Sequence, residues 1–327
     1  MRRVLVTGAS GFLGQHLCAA LRGRLDFVAE LQRDGLETVS HISDLKNQTS
    51  QMTGVTIRGS FEQVERVIAE YEINTVVHLA AQTQVSTAVA DPIGTFEANV
   101  QGTWRVLEAC RRQKVKRVIV ASSDKAYGDW IVPYTEAQPV LAGGIYATSK
   151  AAADMITQSY MREYGMSIAI TRCGNLYGPG HTNWSTLIPG TIRSVLKGER
   201  PVLRSDGGPR RDFLFVEDVV DGYVKLIDSD ARGPFNFGTG TGSTVIAVVE
   251  HILKITDSIL RPEVRVTETA MEIKDQIVDV SKAERVLGWK PKHTLVEGLS
   301  KTIAWYAHHF DACSCAGPDM HEKGMPK

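Results

Sequence analysis

Long apolar runs are missing from this 327-residue chain; none approaches the roughly 18 residues that a membrane-spanning helix requires. An excess of either charge is missing too. Lys and Arg total 37 and Asp and Glu total 37, which argues against a general nucleic-acid or acidic-membrane binder, since these carry a basic surplus. Cysteine is scarce and odd in number. Cys18, Cys110, Cys173, Cys313 and Cys315 are scattered, a pattern expected of reduced thiols in a cytoplasmic protein and not of a disulfide framework. The N-terminus reaches Gly8 after only three apolar residues, too soon for the core of a signal peptide. What is present is ordinary globular material: 43% hydrophobic and 23% charged residues, which excludes wholesale disorder.

Short β-branched runs alternate with longer one-face patterns. Val4 to Thr7, Val55 to Arg58, Thr75 to Ala81 and Arg117 to Ser122 read as strands. Between them Leu13, Leu17 and Leu21, then Val64, Val67, Ile68 and Tyr71, recur at helical spacing, and Phe96, Val100, Val106 and Leu107 predict a long third helix. Wholly apolar strands separated by amphipathic helices imply a parallel sheet covered on both faces, the doubly wound α/β class. Residues 1–175, with about 212–238 returning to them, are expected to form the first domain. Residues of about 176–211 and 239–310 are expected to form a smaller lobe, and 311–327 a loose tail. Cys313 and Cys315 with His321 match no standard metal cage, so no metal site is expected.

The strongest local signal is Thr7-Gly8-Ala9-Ser10-Gly11-Phe12-Leu13-Gly14, between the first strand and the first helix. Gly8, Gly11 and Gly14 permit a tight turn, close approach of a pyrophosphate and close helix–strand packing. The helix start, at Phe12 and Leu13, offers unpaired N–H groups to phosphates. The spacing, G-x-x-G-x-x-G, differs from the commoner dinucleotide fingerprint. Near the end of the second strand, Asp34 would suit NAD, whereas Arg33 would suit the extra phosphate of NADP; the choice stays open.

A second signal is Tyr146-Ala147-Thr148-Ser149-Lys150 at the start of a helix. Tyr146 and Lys150 are i and i+4 and share a face. A nearby ammonium favours phenolate, so the spacing predicts a tyrosine with a lowered pKa acting as a general base. Upstream, Ser122-Ser123-Asp124-Lys125 closes a strand, and the carboxyl ends of strands are where ligands bind in open parallel sheets.

These motifs resemble the extended short-chain dehydrogenase/reductases that modify nucleotide sugars, over residues of about 2–306. The resemblance also runs through His78-Leu79-Ala80-Ala81-Gln82-Thr83, Asn99 to Thr103, and Arg172-Cys173-Gly174-Asn175-Leu176-Tyr177-Gly178-Pro179. It continues through Arg211-Asp212-Phe213, Phe235 to Gly238, and Asp279 to Pro291. It implies a Rossmann sheet with a smaller α/β substrate lobe and NAD as cofactor. Leu79, Ala80, Ala81, Asn99 and Cys173 would be cofactor contacts, together with Tyr146 and Lys150. Gln82, Thr83, Asn175, Leu187, Arg204 and Arg211 would contact a nucleoside-diphosphate sugar. The resemblance also suggests a homodimer built through the helices around 95–113 and 146–164.

Within the family, epimerases carry small residues where this chain has Asp124 and Lys125. The 4,6-dehydratases carry Asp followed by Glu, or by Lys in the CDP-glucose type. Ser123-Asp124-Lys125, with Gln82-Thr83 and Leu187-Ile188-Pro189, is most similar to the CDP-glucose 4,6-dehydratase branch. The implied roles follow. Tyr146 removes the sugar O4 proton, Ser123 holds O4 and Lys150 supports the phenolate, while NAD+ takes the C4 hydride and later returns it to C6. Lys125 takes the C5 proton and Asp124 protonates the departing C6 hydroxyl. Six cationic residues between 193 and 211 (Arg193, Lys197, Arg200, Arg204, Arg210 and Arg211) stand against only Glu199 and Asp206; some of them form a solvated face, and the resemblance implies that Arg204 and Arg211, with Asn175, grip a diphosphate. Phe213 and Phe215 are expected in the sheet core. The chain departs from many relatives at Gly59-Ser60-Phe61, where they carry an Asp for the adenine.

Two other readings compete. A nucleotide-sugar 4-epimerase needs Ser123, Tyr146 and Lys150 but neither Asp124 nor Lys125. A non-catalytic dinucleotide sensor predicts loss of the Tyr or the Lys, and both are present.

Overall fold

The computed structural model describes residues 2–22, 24, 27–32, 52–56, 61–265 and 273–314. The chain opens with β1 (Arg3–Thr7), α1 (Phe12–Leu21), β2 (Phe27–Gln32), β3 (Met52–Thr56), α2 (Phe61–Glu70) and β4 (Thr75–His78). Next come α3 (Val85–Ala90), α4 (Pro92–Phe96), α5 (Gly102–Arg112), β5 (Arg117–Ala121), α6 (Ile145–Glu163) and β6 (Ile168–Cys173). These are followed by β7 (Asn175–Tyr177), α7 (Leu187–Leu196), β8 (Val202–Leu203), β9 (Arg210–Arg211), β10 (Phe213–Phe215), α8 (Val216–Ile227) and β11 (Gly233–Phe237). The chain ends with β12 (Ser243–Thr244), α9 (Val245–Ile255), β13 (Glu263–Val264), β14 (Asp275–Gln276), α10 (Ser281–Leu287) and α11 (Leu295–Ser314).

Seven strands form one parallel sheet in the order β11-β6-β5-β4-β1-β2-β3. Successive residues of a strand point to opposite faces, and β1 serves two cores accordingly. Val4 and Val6 pack with Leu17 and Leu21 of α1 and Val219 and Tyr223 of α8. Leu5 packs with Val64 and Val67 of α2, Val106 and Leu107 of α5 and, across the sheet, Ile168. The strand order reverses between β1 and β4, where Thr7 sits beside His78. A crevice opens at the carboxyl ends of strands where the order reverses, and ligands of doubly wound sheets bind there.

The expected long third helix runs without a break in helical backbone from Pro92 to Arg112, as α4, a π-helical turn and α5. Asp91 caps α4, its carboxylate accepting from the Gly94 amide at 2.9 Å, with Pro92 at the first helical position. A π-helical turn, Glu97–Gln101, then joins α4 to α5. It carries Asn99, whose side chain is buried.

The smaller lobe is built from two- and three-residue strands: β7 with β10, β9 between β12 and β14, and β8 with β13. Its core gathers Tyr177, Ile188, Ile192, Val248, Ile252, Leu299 and Tyr306, with Phe213 and Phe215 from β10. Leu214, between those two phenylalanines, points the other way into the core of the large sheet. The final helix reaches Ser314, past position 311 where the expected tail began. Cys315 and His321 lie outside the described residues. Among the described residues no cluster of three potential metal ligands occurs, and no helix is long and apolar enough to cross a membrane.

Candidate active site

The glycine loop is shaped by close contacts. Gly8 adopts φ +73°, and a Cβ there would lie 2.7 Å from the Ala80 amide nitrogen. A Cβ on Gly14 would lie 2.1 Å from the Gly8 carbonyl oxygen, so α1 packs on the loop at a distance that only glycine permits. The amide of Gly11 donates to the Gly8 carbonyl at 3.0 Å and closes the turn. No side chain caps α1, and its first turn holds no acid. The amides of Phe12, Leu13 and Gly14 are therefore left facing outward with a positive dipole end, which fits the diphosphate of a dinucleotide. Leu79 and Ala80 line the neighbouring strand end, their amides donating to the Thr7 carbonyl (3.1 Å) and Thr7 Oγ1 (3.3 Å), and Ala81 continues that loop. Arg33, Asp34 and Ser60 lie outside the described residues, so the adenosine end is not described.

Asn99 holds this wall without exposing a polar atom to the crevice. Its Nδ2 donates to the Gln82 carbonyl (2.9 Å) and Ser149 Oγ (2.8 Å), and its Oδ1 accepts from the Gln82 amide (2.7 Å). It thus ties the loop after β4 to α6. Gln82 is similarly bound within its loop, donating to the Gln84 carbonyl and to Thr95, while Thr83 is exposed.

Two acid–base pairs meet at the end of β5. Tyr146 and Lys150 are both buried on α6. Lys150 donates to the Ala121 carbonyl at 3.0 Å, and burial lowers its pKa to about 8. The expected lowering of the tyrosine pKa is overturned for the chain on its own. Burial pushes the phenol up, the nearby Asp124 charge adds to this, and the hydrogen bond with Ser123 only partly opposes them. The reason is that burial strips water from the phenolate, while the Lys150 amine is turned toward the Ala121 carbonyl. Cys173, at the end of β6, lies beside both groups, and burial raises its thiol to about 12.

The second pair rides on a 3-10 turn, Asp124–Tyr127, started by Ser123, whose Oγ accepts from the Lys125 amide at 3.2 Å. The Asp124 carboxylate accepts from Ser123 (3.1 Å) and from Lys125 Nζ (3.5 Å) through one oxygen. Its other oxygen is buried without a partner, which marks a place where a ligand hydroxyl or water belongs. Lys125 Nζ also donates to Asn175 Oδ1 at 3.1 Å, joining the turn to β7.

Behind both pairs runs a buried network that sequence reasoning missed. Arg172 makes a two-pronged ion pair with Asp154 of α6 (2.8 and 2.9 Å) and donates to the Tyr127 hydroxyl (3.0 Å). Tyr127 in turn donates to Asn236 (2.7 Å). One guanidinium therefore clamps the helix bearing Tyr146 to the turn bearing Asp124 and Lys125. The signal available was Asp154, one turn beyond Lys150 on an otherwise apolar stretch of helix. Asp212 was also missed as a structural group. Its buried carboxylate accepts from the Thr239 amide and hydroxyl (both 2.7 Å) and the Gly240 amide (3.2 Å), and burial raises its pKa to about 6 against those bonds.

The arginines of the basic stretch have separate surroundings. Arg193 lies over the Trp184 ring and Arg200 donates to the Arg261 carbonyl. Arg204 is exposed in the bend after β8, and Arg211 is half-buried on β9 and donates to the Arg210 and Lys274 carbonyls. Leu187 opens α7 and packs against the lobe's core.

The sequence matches the NAD dependent epimerase/dehydratase family over residues 4–238. The chain belongs to this family. A dTDP-glucose 4,6-dehydratase of Neisseria meningitidis serogroup B is 30% identical over 336 residues, covering 94% of this chain and 93% of the relative. Among solved structures, the dTDP-glucose 4,6-dehydratase of Streptomyces venezuelae with NAD and TYD bound superposes with a TM-score of 0.85 at 26% identity, covering 96% of this chain and 100% of that one. A UDP-glucose 4-epimerase of Thermotoga maritima with UDP-glucose gives 0.84 at 27%, covering 94% and 99%. The family therefore holds both reactions that the sequence left in competition.

Proposed function

We propose that the chain is a nucleotide-sugar 4,6-dehydratase with NAD as cofactor, converting a nucleoside-diphosphate hexose to its 4-keto-6-deoxy form. The observation that carries this reading is the Asp124–Lys125 pair, with a buried, unpartnered carboxylate oxygen beside an amine at the strand end that holds Ser123 and Tyr146. An epimerase has no work for these two groups.

In this reading Ser123 and Tyr146 grip the sugar O4, and Tyr146 takes its proton. When bound, NAD supplies a positive ring that favours the phenolate and a reversible hydride acceptor between C4 and C6. The 4-ketone acidifies the C5 proton, which Lys125 removes. Asp124 donates a proton to the leaving C6 hydroxyl, which departs as water. The glycine loop and the amides of Phe12, Leu13 and Gly14 hold the cofactor diphosphate, and the loop 79–82 forms the opposite wall. Lysine after Asp124 favours a cytidine nucleotide, while the dTDP-glucose relatives favour thymidine. The chain acts as a homodimer through α3 to α6, where Val89, Ile93, Trp104 and Met155 leave apolar surface exposed; sedimentation of the purified protein tests this.

Incubation with NAD and the CDP-, TDP-, UDP- and GDP-hexoses in turn, followed by product mass, tests the activity. Loss of one water supports the dehydratase. Unchanged mass with inverted C4 supports the epimerase, the second reading that the Thermotoga structure keeps in view.

A further inference from the structure

Asn175 and Lys125 are 50 positions apart in sequence and in contact in the fold. The orientation of the Asn175 amide follows from its partner. A lysine nitrogen offers no acceptor when charged and keeps its N–H donors when neutral, so the atom 3.1 Å from Nζ is the carbonyl oxygen. Nδ2 then points away from the lysine, buried and without a protein partner. The backbone beneath is fixed. The Asn175 amide donates to the Asp212 carbonyl at 2.7 Å, and a Cβ on the preceding Gly174 would lie 2.7 Å from that same oxygen. Of the two acceptors around Nζ, the amide of Asn175 is nearer than the Asp124 carboxylate at 3.5 Å. The other ionisable groups around the pair are Tyr146, Tyr134 and Cys173, which all sense Asp124, and Arg211, which acts on Tyr134.

We propose that Asn175 is the positioning residue of Lys125: its Oδ1 takes one N–H of the amine, so that the nitrogen lone pair is aimed at the substrate without a second carboxylate to keep it protonated. The step it serves rests on the dehydratase reading. There the C5 proton passes to the Nζ lone pair. The C–H electrons conjugate with the 4-ketone and then expel the C6 hydroxyl, which leaves as water with the proton from Asp124. A neutral acceptor suits this task because a carboxylate at the same distance stabilises the ammonium. The unpartnered Nδ2 leaves the other end of the amide free for the substrate.

The contact is testable apart from the reaction. The Lys125 side chain is 24% exposed, so limiting acetic anhydride reaches it, and peptide mass reads its acetylation at each pH. Asn175→Asp is expected to move the half-reactivity pH of Lys125 upward by about one to three units. Asn175→Leu keeps the volume, removes the acceptor and serves if the first variant fails to fold; it is expected to change Lys125 reactivity by severalfold while Lys150 reactivity stays constant. Unchanged Lys125 reactivity in the folded variants overturns the proposal. With the nucleoside-diphosphate hexose that the wild type dehydrates, Asn175→Leu is expected to lower kcat by roughly 10²-fold, and Asn175→Asp to shift the acid limb of the kcat profile upward. A rise in KM alone, with kcat and the limb unmoved, assigns Asn175 to substrate binding only and contradicts the proposal. A wild type that releases no water counts against the dehydratase reading, and the acetylation result still decides the contact.

Discussion

The two pairs at the end of β5 contrast in construction. Tyr146 and Lys150 project from a 19-residue helix, are buried, and are perturbed chiefly by loss of water. Asp124 and Lys125 sit on a single 3-10 turn, with the carboxylate buried and the lysine side chain partly exposed. In the proposed reading the first pair serves both reactions and the second separates them; the turn that carries the second is held by Asn175 of β7 and by the Arg172 clamp. On that reading, chemistry common to a family rests on a long regular element, and chemistry that distinguishes a branch rests on a short turn that tertiary contacts support.

Four substitutions probe that contrast. Tyr146→Phe removes the O4 base and is expected to lower turnover by 10³-fold or more with any nucleotide hexose, measured as substrate consumption. Arg172→Met breaks the buried clamp and leaves Asp154 uncompensated; a loss of about 3–5 kcal/mol in urea unfolding is expected, and a change under 1 kcal/mol would show that the clamp is dispensable. Lys125→Met is expected to lower water loss by about 10²-fold while C4 oxidation persists, read by trapping the 4-ketone with borodeuteride. If both fall together, the two pairs do not act in separate steps.

The smallest effect concerns stability. The folded pKa of Lys150 lies near 8, below its ordinary 10.5. The folded state therefore binds fewer protons than the unfolded state between those values, and stability rises with pH through that window. Below it, the buried ammonium opposes folding. Lys150→Met is expected to abolish turnover yet raise stability at pH 7 by about 1–3 kcal/mol, seen as a higher urea midpoint; a lower midpoint would show that the bond to the Ala121 carbonyl outweighs desolvation.

Local pattern made the large sheet and its ligand edge legible, because apolar strand runs and one-face helices report on burial directly. The glycine loop was legible for the same reason, as Gly8 and Gly14 occupy positions where any Cβ collides. Spacing also placed Tyr146 and Lys150 on one face. It did not reveal which way the tyrosine titrates, since desolvation is set by what α6 packs against and not by its own sequence. Nor did it show which amides are engaged within the protein. Asn99 spends its amide on Gln82 and Ser149, and Asn175 turns its oxygen to Lys125. Contacts across 17 to 50 positions become visible only once β4, α6 and β7 are assembled. The basic stretch spreads over several elements, with Arg193 on α7 and Arg210 and Arg211 on β9, so its spacing in sequence carried no common face.

The most direct test of the central claim is the product formed in deuterium oxide from the preferred nucleoside-diphosphate hexose with NAD. The account predicts a product lighter by one water that carries one solvent deuteron at C5. A product of unchanged mass with inverted C4 and no deuterium at C5 would contradict it.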